Sequence, residues 1–135
     1  MIDKCNEIFS TIADEVRKEH PGATVIGEYT RKPSQFPCIT LDEIENVTVE
    51  ELVDSSNEER YSGVTYRLQS FSNRIGQKKA EARKIFAAAD KVMLAMGFRR
   101  ITYTTTPEIY DSTIYSIQAT YRAIIDANGV IYKRK

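Results

Sequence analysis

The spacing of hydrophobic positions changes several times along this chain, and each change marks an element. Over residues 2–19, Cys5, Ile8, Phe9, Ile12, Ala13 and Val16 recur at helical spacing, with Lys4, Glu7, Asp14, Arg17 and Lys18 mostly elsewhere. The spacing predicts an amphipathic helix that stops near His20, because Pro21 disfavours helical geometry at the residue before it and Gly22 follows. Residues 23–30 (ATVIGEYT) read as a strand, 31–37 with two prolines as a loop, and 38–45 (CITLDEIE) as a second, alternating strand. Together these predict a hairpin with a loop of several residues. Residues 46–62 (NVTVEELVDSSNEERYS) lose the alternation and gather acids; they read as a long loop with a short helical turn at 49–53.

The second half is more regular. Val64, Tyr66 and Leu68 alternate with Thr65, Arg67 and Gln69, as in a half-buried strand that breaks at Gly76. Ala82, Ile85, Phe86, Ala89, Val92, Met93 and Met96 then form a continuous stripe, predicting a helix over 78–96 with Gly97 as a left-handed C-cap. Residues 99–105 are β-branched and aromatic, hence a strand; Pro107 and Asp111-Ser112 mark a connection. In 114–126 the odd positions Tyr115 to Ile125 are apolar or aromatic and the even positions Ser116 to Arg122 polar, with Ile124 as the exception after them. Asn128-Gly129 signals a tight hairpin turn returning through 130–132. The expectation is one α+β domain over 1–135: an antiparallel or mixed sheet of four to six strands with two helices packed on one face.

Composition changes this picture little. A chain of 135 residues with 41% hydrophobic and 28% charged residues has enough length for one core. Lys+Arg and Asp+Glu balance at 19 each, so net charge exerts no general pull toward nucleic acid or anionic membrane. Two cysteines, Cys5 and Cys38, do not make a disulfide scaffold and read as reduced thiols. The first ten residues lack the apolar run of a signal peptide, and no segment approaches membrane-spanning length, so a cytoplasmic origin is expected. Asn46-Val47-Thr48 matches a glycosylation acceptor by letter alone.

Candidate chemistry is thin. The single histidine, His20, stands at a helix end, and nothing in the spacing brings Cys5 or Cys38 to it with an orienting partner. Two cysteines and one histidine at scattered positions make no zinc motif, and the acids of 42–54 read as a solvated segment before a cation site. No phosphate-binding glycine motif occurs, and Asp42, Glu43 and Lys78 lack the arrangement of a nuclease centre. The expectation is no enzymatic reaction, no cofactor and no metal. Arg74, Lys78, Lys79, Arg83, Lys84, Arg99, Arg100 and residues 133–135 are basic, with tyrosines interleaved, which leaves a small nucleic-acid-binding module as an alternative.

The element order, with GVTYRLQSFSNRIGQKKAEARKIFAAADKVMLAMGFRR and the later PEIYDSTIYSIQATYRAIIDANGVIYK, resembles the tail-terminator (tail-completion) proteins of long-tailed bacteriophages, in the versions carried by prophages of Gram-positive bacteria. The resemblance covers most of the chain and is clearest over 61–133. Neighbouring neck and head–tail joining proteins are similar in size and stand as a second reading. The resemblance implies a structural protein that caps the tail tube as a ring, commonly of six subunits. Such a ring stops tail polymerisation and offers the head a docking surface, in a virion assembled in the host cytoplasm. The partners implied are other copies of itself, the tail tube protein and a head–tail connector, with no membrane. The family offers no fixed motif to carry over, so candidate residues come from charge. A ring needs two different patches that meet. Glu50, Glu51, Asp54, Glu58, Glu59 and Arg60 of the acidic loop form one candidate, and Lys78, Lys79, Arg83, Arg99 and Arg100 the other. Arg67 and Arg122, on polar strand faces, are candidates for a lumen through which DNA passes.

Overall fold

A computed structural model describes residues 5–30, 33–48, 61–107, 113–126 and 131. The elements follow the order α1 (Cys5–Glu19), β1 (Thr24–Ile26), β2 (Cys38–Thr48), β3 (Tyr61–Ser72), α2 (Lys78–Met96), β4 (Arg99–Pro107) and β5 (Tyr115–Asp126). The strands form one open sheet in the order β1-β2-β3-β5-β4, antiparallel throughout except for the parallel pair β1 and β2. The protein is an α+β fold with a mixed sheet.

Both helices lie on one face of that sheet. Ile8, Ile12, Ala13 and Val16 of α1 are buried in one core with Ala82, Ile85, Phe86, Ala89 and Met93 of α2. The sheet meets them with Ile39, Leu41, Val64, Tyr66, Leu68, Ile117, Ala119, Tyr121 and Ile125, the alternate positions of β2, β3 and β5. The Ser70 hydroxyl, on this face, donates to the Ala82 carbonyl of α2 at 2.8 Å. The stripe on α2 therefore does what its spacing predicts.

Helix ends follow from local chemistry. At the end of α1 the His20 N–H still bonds the Val16 carbonyl (2.7 Å), and Pro21 then prevents another turn. At the end of α2, Gly97 takes a left-handed conformation (φ 106°). Its N–H bonds Leu94 O and the Phe98 N–H bonds Met93 O, both at 3.1 Å. This is a Schellman cap, and its hydrophobic contact is buried: Phe98 and Met93 share the core, with Phe98 edge-on to Tyr66 at 5.4 Å.

Two expectations are corrected. The first two strands are not a hairpin. β1 is only three residues long and runs parallel to β2, with Thr24 level with Cys38. Residues 33–37 return to the level of β1, where the Thr24 N–H bonds Pro37 O at 2.9 Å. This return lies over the sheet face away from the helices, where Ile26 and Phe36 pack on Cys38, Phe71 and Ile114 in a second small core. It includes a cis Phe36–Pro37 peptide. The segment predicted as an acidic loop at 46–62 is strand at both ends, because β2 continues to Thr48 and β3 begins at Tyr61; the predicted helical turn at 49–53 lies outside the described residues. A bulge between Glu43 and Glu45 shifts the alternation there, which hides the strand's continuation from a period-of-two reading. The turn at Asn128-Gly129 lies outside the described residues, while Ile131 forms an antiparallel bridge with Ile125, consistent with the expected return.

Candidate assembly surfaces

Side chains on the helix-free face stand in rows fixed by strand register. One row across the sheet reads Glu45, Thr65, Arg122, Arg99; the next on the same face reads Asp42, Arg67, Thr120, Thr102. The two lumen candidates, Arg67 and Arg122, are thus two residues apart along the sheet, and their surroundings differ. The Arg67 guanidinium donates to both Asp42 carboxylate oxygens, at 3.2 Å and 2.6 Å, and its cationic carbon lies 4.1 Å from the centre of the Tyr29 ring. With 23% of its side chain exposed, it is largely committed inside the fold. Arg122 is exposed and directly opposite Arg99 on β4. Like charges facing each other across strands are unfavourable. The structure therefore joins Arg122, a lumen candidate, with Arg99, an interface candidate.

The basic interface candidates separate into different places. Lys78 and Lys79 open α2 and Arg83 stands one turn on; Lys79 and Arg83 are exposed. Arg99 and Arg100 follow the other end of that helix. A 19-residue helix is about 28 Å long at about 1.5 Å per residue, so these positions form no single patch. Arg100 points to the helix face and donates to Asp90 of α2 at 3.1 Å. Asp90 also accepts the Tyr121 hydroxyl, and burial together with that carboxylate pushes the Tyr121 phenol well up from its usual range. The six loop candidates, Glu50, Glu51, Asp54, Glu58, Glu59 and Arg60, lie outside the described residues.

A cleft between the end of α1 and the start of α2 is lined by Glu19, His20, Arg74, Gln77, Glu81 and Lys84, among others. Its charges are mixed, and one pair, Arg74 to Glu81 at 3.4 Å, already meets within it. Ser72 donates to the same glutamate at 2.7 Å. Among the described residues no group of three or more His, Cys, Asp or Glu is placed to hold a metal ion. No helix among them is long and apolar enough to cross a membrane. Neither Cys5 nor Cys38 is in a disulfide; Cys38 is buried, and burial pushes it up to about 11. What the arrangement offers is charge and sheet surface, with hydroxyl–carboxylate contacts at Ser72–Glu81 and Tyr121–Asp90.

Sequence reasoning missed the edges. β1 covers only Cys38–Thr40 of β2, so the rest of β2 has no strand on its outer side among the described residues, and β4 ends the sheet at the other side. A short parallel β1 could not be read from the local pattern, since partner direction is a long-range property.

The class this fold defines is an α+β layer pair: two helices on one face of an open, mixed five-stranded sheet. No protein-family model matches the chain, and no curated protein matches it. Among the solved structures that share the fold is a chain from the virion of a native gene transfer agent (GTA) particle. It matches with a TM-score of 0.60 and 13% sequence identity, over 87% of this chain and 93% of that one. At that identity the likeness is one of fold.

Proposed function

We propose that this protein is a structural component of a phage-like particle, and within that class a tail terminator. It closes as a ring, commonly of six copies, on the end of the tail tube, halts polymerisation and presents the surface on which the head–tail connector docks. The observation that carries the reading is the near end-to-end fold match to a chain of a virion particle, 87% of one chain on 93% of the other. The sequence resemblance to tail-terminator proteins, read independently of that match, supplies the finer role. On this reading no reaction, cofactor or metal is involved, assembly takes place in the host cytoplasm, and DNA is only a passenger through the lumen. Arg122 and Arg99 are the better lumen candidates, being exposed on one face of the sheet.

The test is the mass of the purified protein across concentration by light scattering, with negative-stain images, alone and with polymerised tail tube protein. Closed rings, free or seated on tube ends, are the expected result. A strict monomer in both conditions overturns the reading. Combining Glu58→Lys with Glu59→Lys is expected to weaken ring formation while the fold stays intact by thermal unfolding. Unchanged assembly removes the acidic loop from the contact. Strong, salt-sensitive DNA binding by a monomer would instead favour a nucleic-acid module.

A further inference from the structure

We propose that the two open edges of the sheet are complementary halves of one copy-to-copy contact. β4 of one copy adds to the uncovered part of β2 of the next, and the antiparallel sheet continues from copy to copy.

Direction permits it without turning a copy over. β2 is antiparallel to β3, β3 to β5 and β5 to β4, so β2 and β4 run in opposite senses. A copy moved sideways in the plane of the sheet brings its β2 antiparallel to the first copy's β4. The charges match in the same placement. The uncovered part of β2 carries Asp42, Glu43 and Glu45, and β4 begins with Arg99 and Arg100. Asp42 is already taken by Arg67. The register rows place the other two acids level with the two arginines. Glu45, Thr65, Arg122 and Arg99 form one row, and Glu43, Tyr66, Tyr121 and Arg100 form its neighbour on the opposite face. Extending the rows into the next copy with no stagger sets Arg99 opposite Glu45 on the helix-free face. It sets Arg100, which already donates to Asp90, beside Glu43, which accepts from Asn46, on the helix face, so the new ion pair of the contact is Glu45 with Arg99. Glu45 and Arg99 are both exposed and neither forms an ion pair among the described residues. The added Glu45 also brings a counter-charge to the Arg99–Arg122 pair.

The apolar surface agrees. Each edge has a bulge next to these rows, between Glu43 and Glu45 on β2 and between Arg100 and Thr102 on β4. The extra residues are Ile44 and Ile101, 45% and 50% exposed. Edge strands of soluble proteins are commonly guarded by charge against self-pairing. Here like edges repel and unlike edges attract, which selects head-to-tail addition. Such a contact is heterologous, and it makes a ring when the rotation between copies closes. Closure rests on the tail-terminator reading; the edge contact does not.

The test uses the full chain. In a Cys5→Ser background, Glu45→Cys and Arg99→Cys are combined and the protein is oxidised. Within one chain these positions are three strand spacings apart, about 14 Å, beyond the reach of a disulfide. Every bond formed therefore joins two copies, and a ladder of covalent multimers is expected; mixing the two single variants should give covalent dimers only. Separately, Arg99→Glu or Glu45→Arg alone should raise the concentration of half-assembly about tenfold, and both in one chain should restore it to within about threefold. Wild-type multimers that neither reversal moves, with no cross-linked ladder, would overturn the edge contact and leave the ring reading standing. Absence of multimers for the wild type, with and without tail tube, would overturn both.

Discussion

At the residue scale, the same side chain does different work depending on what stands beside it. Arg67 and Arg122 both occupy polar faces of strands, but Arg67 is held by Asp42 and Tyr29 whereas Arg122 stands exposed across from Arg99. Removing one partner of a half-buried pair leaves the other charge poorly solvated. Arg67→Ala is therefore expected to cost about 1–3 kcal/mol in urea unfolding, whereas Arg122→Ala should stay within about 0.5 kcal/mol. The two thiols separate in the same way. Buried Cys38 is pushed up to about 11, and Cys5 is half-buried, so a small maleimide at neutral pH should label Cys5 first. The shift of Cys38 also sets a pH dependence. Its contribution is fully present below its ordinary 9.0 and is lost as pH rises from there through about 11, because the unfolded thiol ionises before the folded one. Tyr121, shifted in the same direction, extends the decline. Cys38→Ala should flatten the fall between pH 9 and 11 in chemical denaturation, whatever it does to the baseline. None of these environments is visible at the residue's own position in the chain: Asp42 meets Arg67 only because β2 pairs with β3.

At the element scale, legibility followed the locality of the forces. α2 spans Lys78–Met96, the boundaries its sequence predicts, because an apolar stripe, a good helix-forming composition and a terminal glycine act within a few residues of one another. Gly97 has φ 106°, where an L-residue is strained, so Gly97→Ala is expected to cost about 1 kcal/mol, measured as a lower urea midpoint at unchanged slope. The strands were legible in type and less so in extent. β5 alternates cleanly and was found within one residue of its start. The alternation of β2 breaks before Glu45 because its bulge puts Ile44 out of phase, although the strand runs on to Thr48. β4 carries a similar bulge; Ile101 is exposed, and Tyr103 lies on the helix face, still partly open to solvent, and meets Phe86 edge-on at 5.2 Å. A bulge is a property of a strand pair, and one strand's letters do not announce it.

At the scale of the whole molecule, two helices on one face leave a sheet with a polar side and two unlike edges. The shared core is the part that holds this arrangement. Ile12 has no exposed surface and packs where α1 meets the sheet and α2, so Ile12→Ala is expected to cost about 2–5 kcal/mol of unfolding free energy. The sequence by itself determined the class, an α+β fold with two amphipathic helices, because hydrophobic period and helix-end chemistry are written within each segment. It also carried the charge segregation between the acids of β2 and the arginines of β4. Only the tertiary structure decided that β1 runs parallel to β2, that β5 rather than β4 neighbours β3, and that Arg99 and Glu45 share a row at opposite edges. These are choices of partner and register between segments far apart in the chain. They are settled by burial of both helices against one common face, a constraint that exists only when all the elements are assembled.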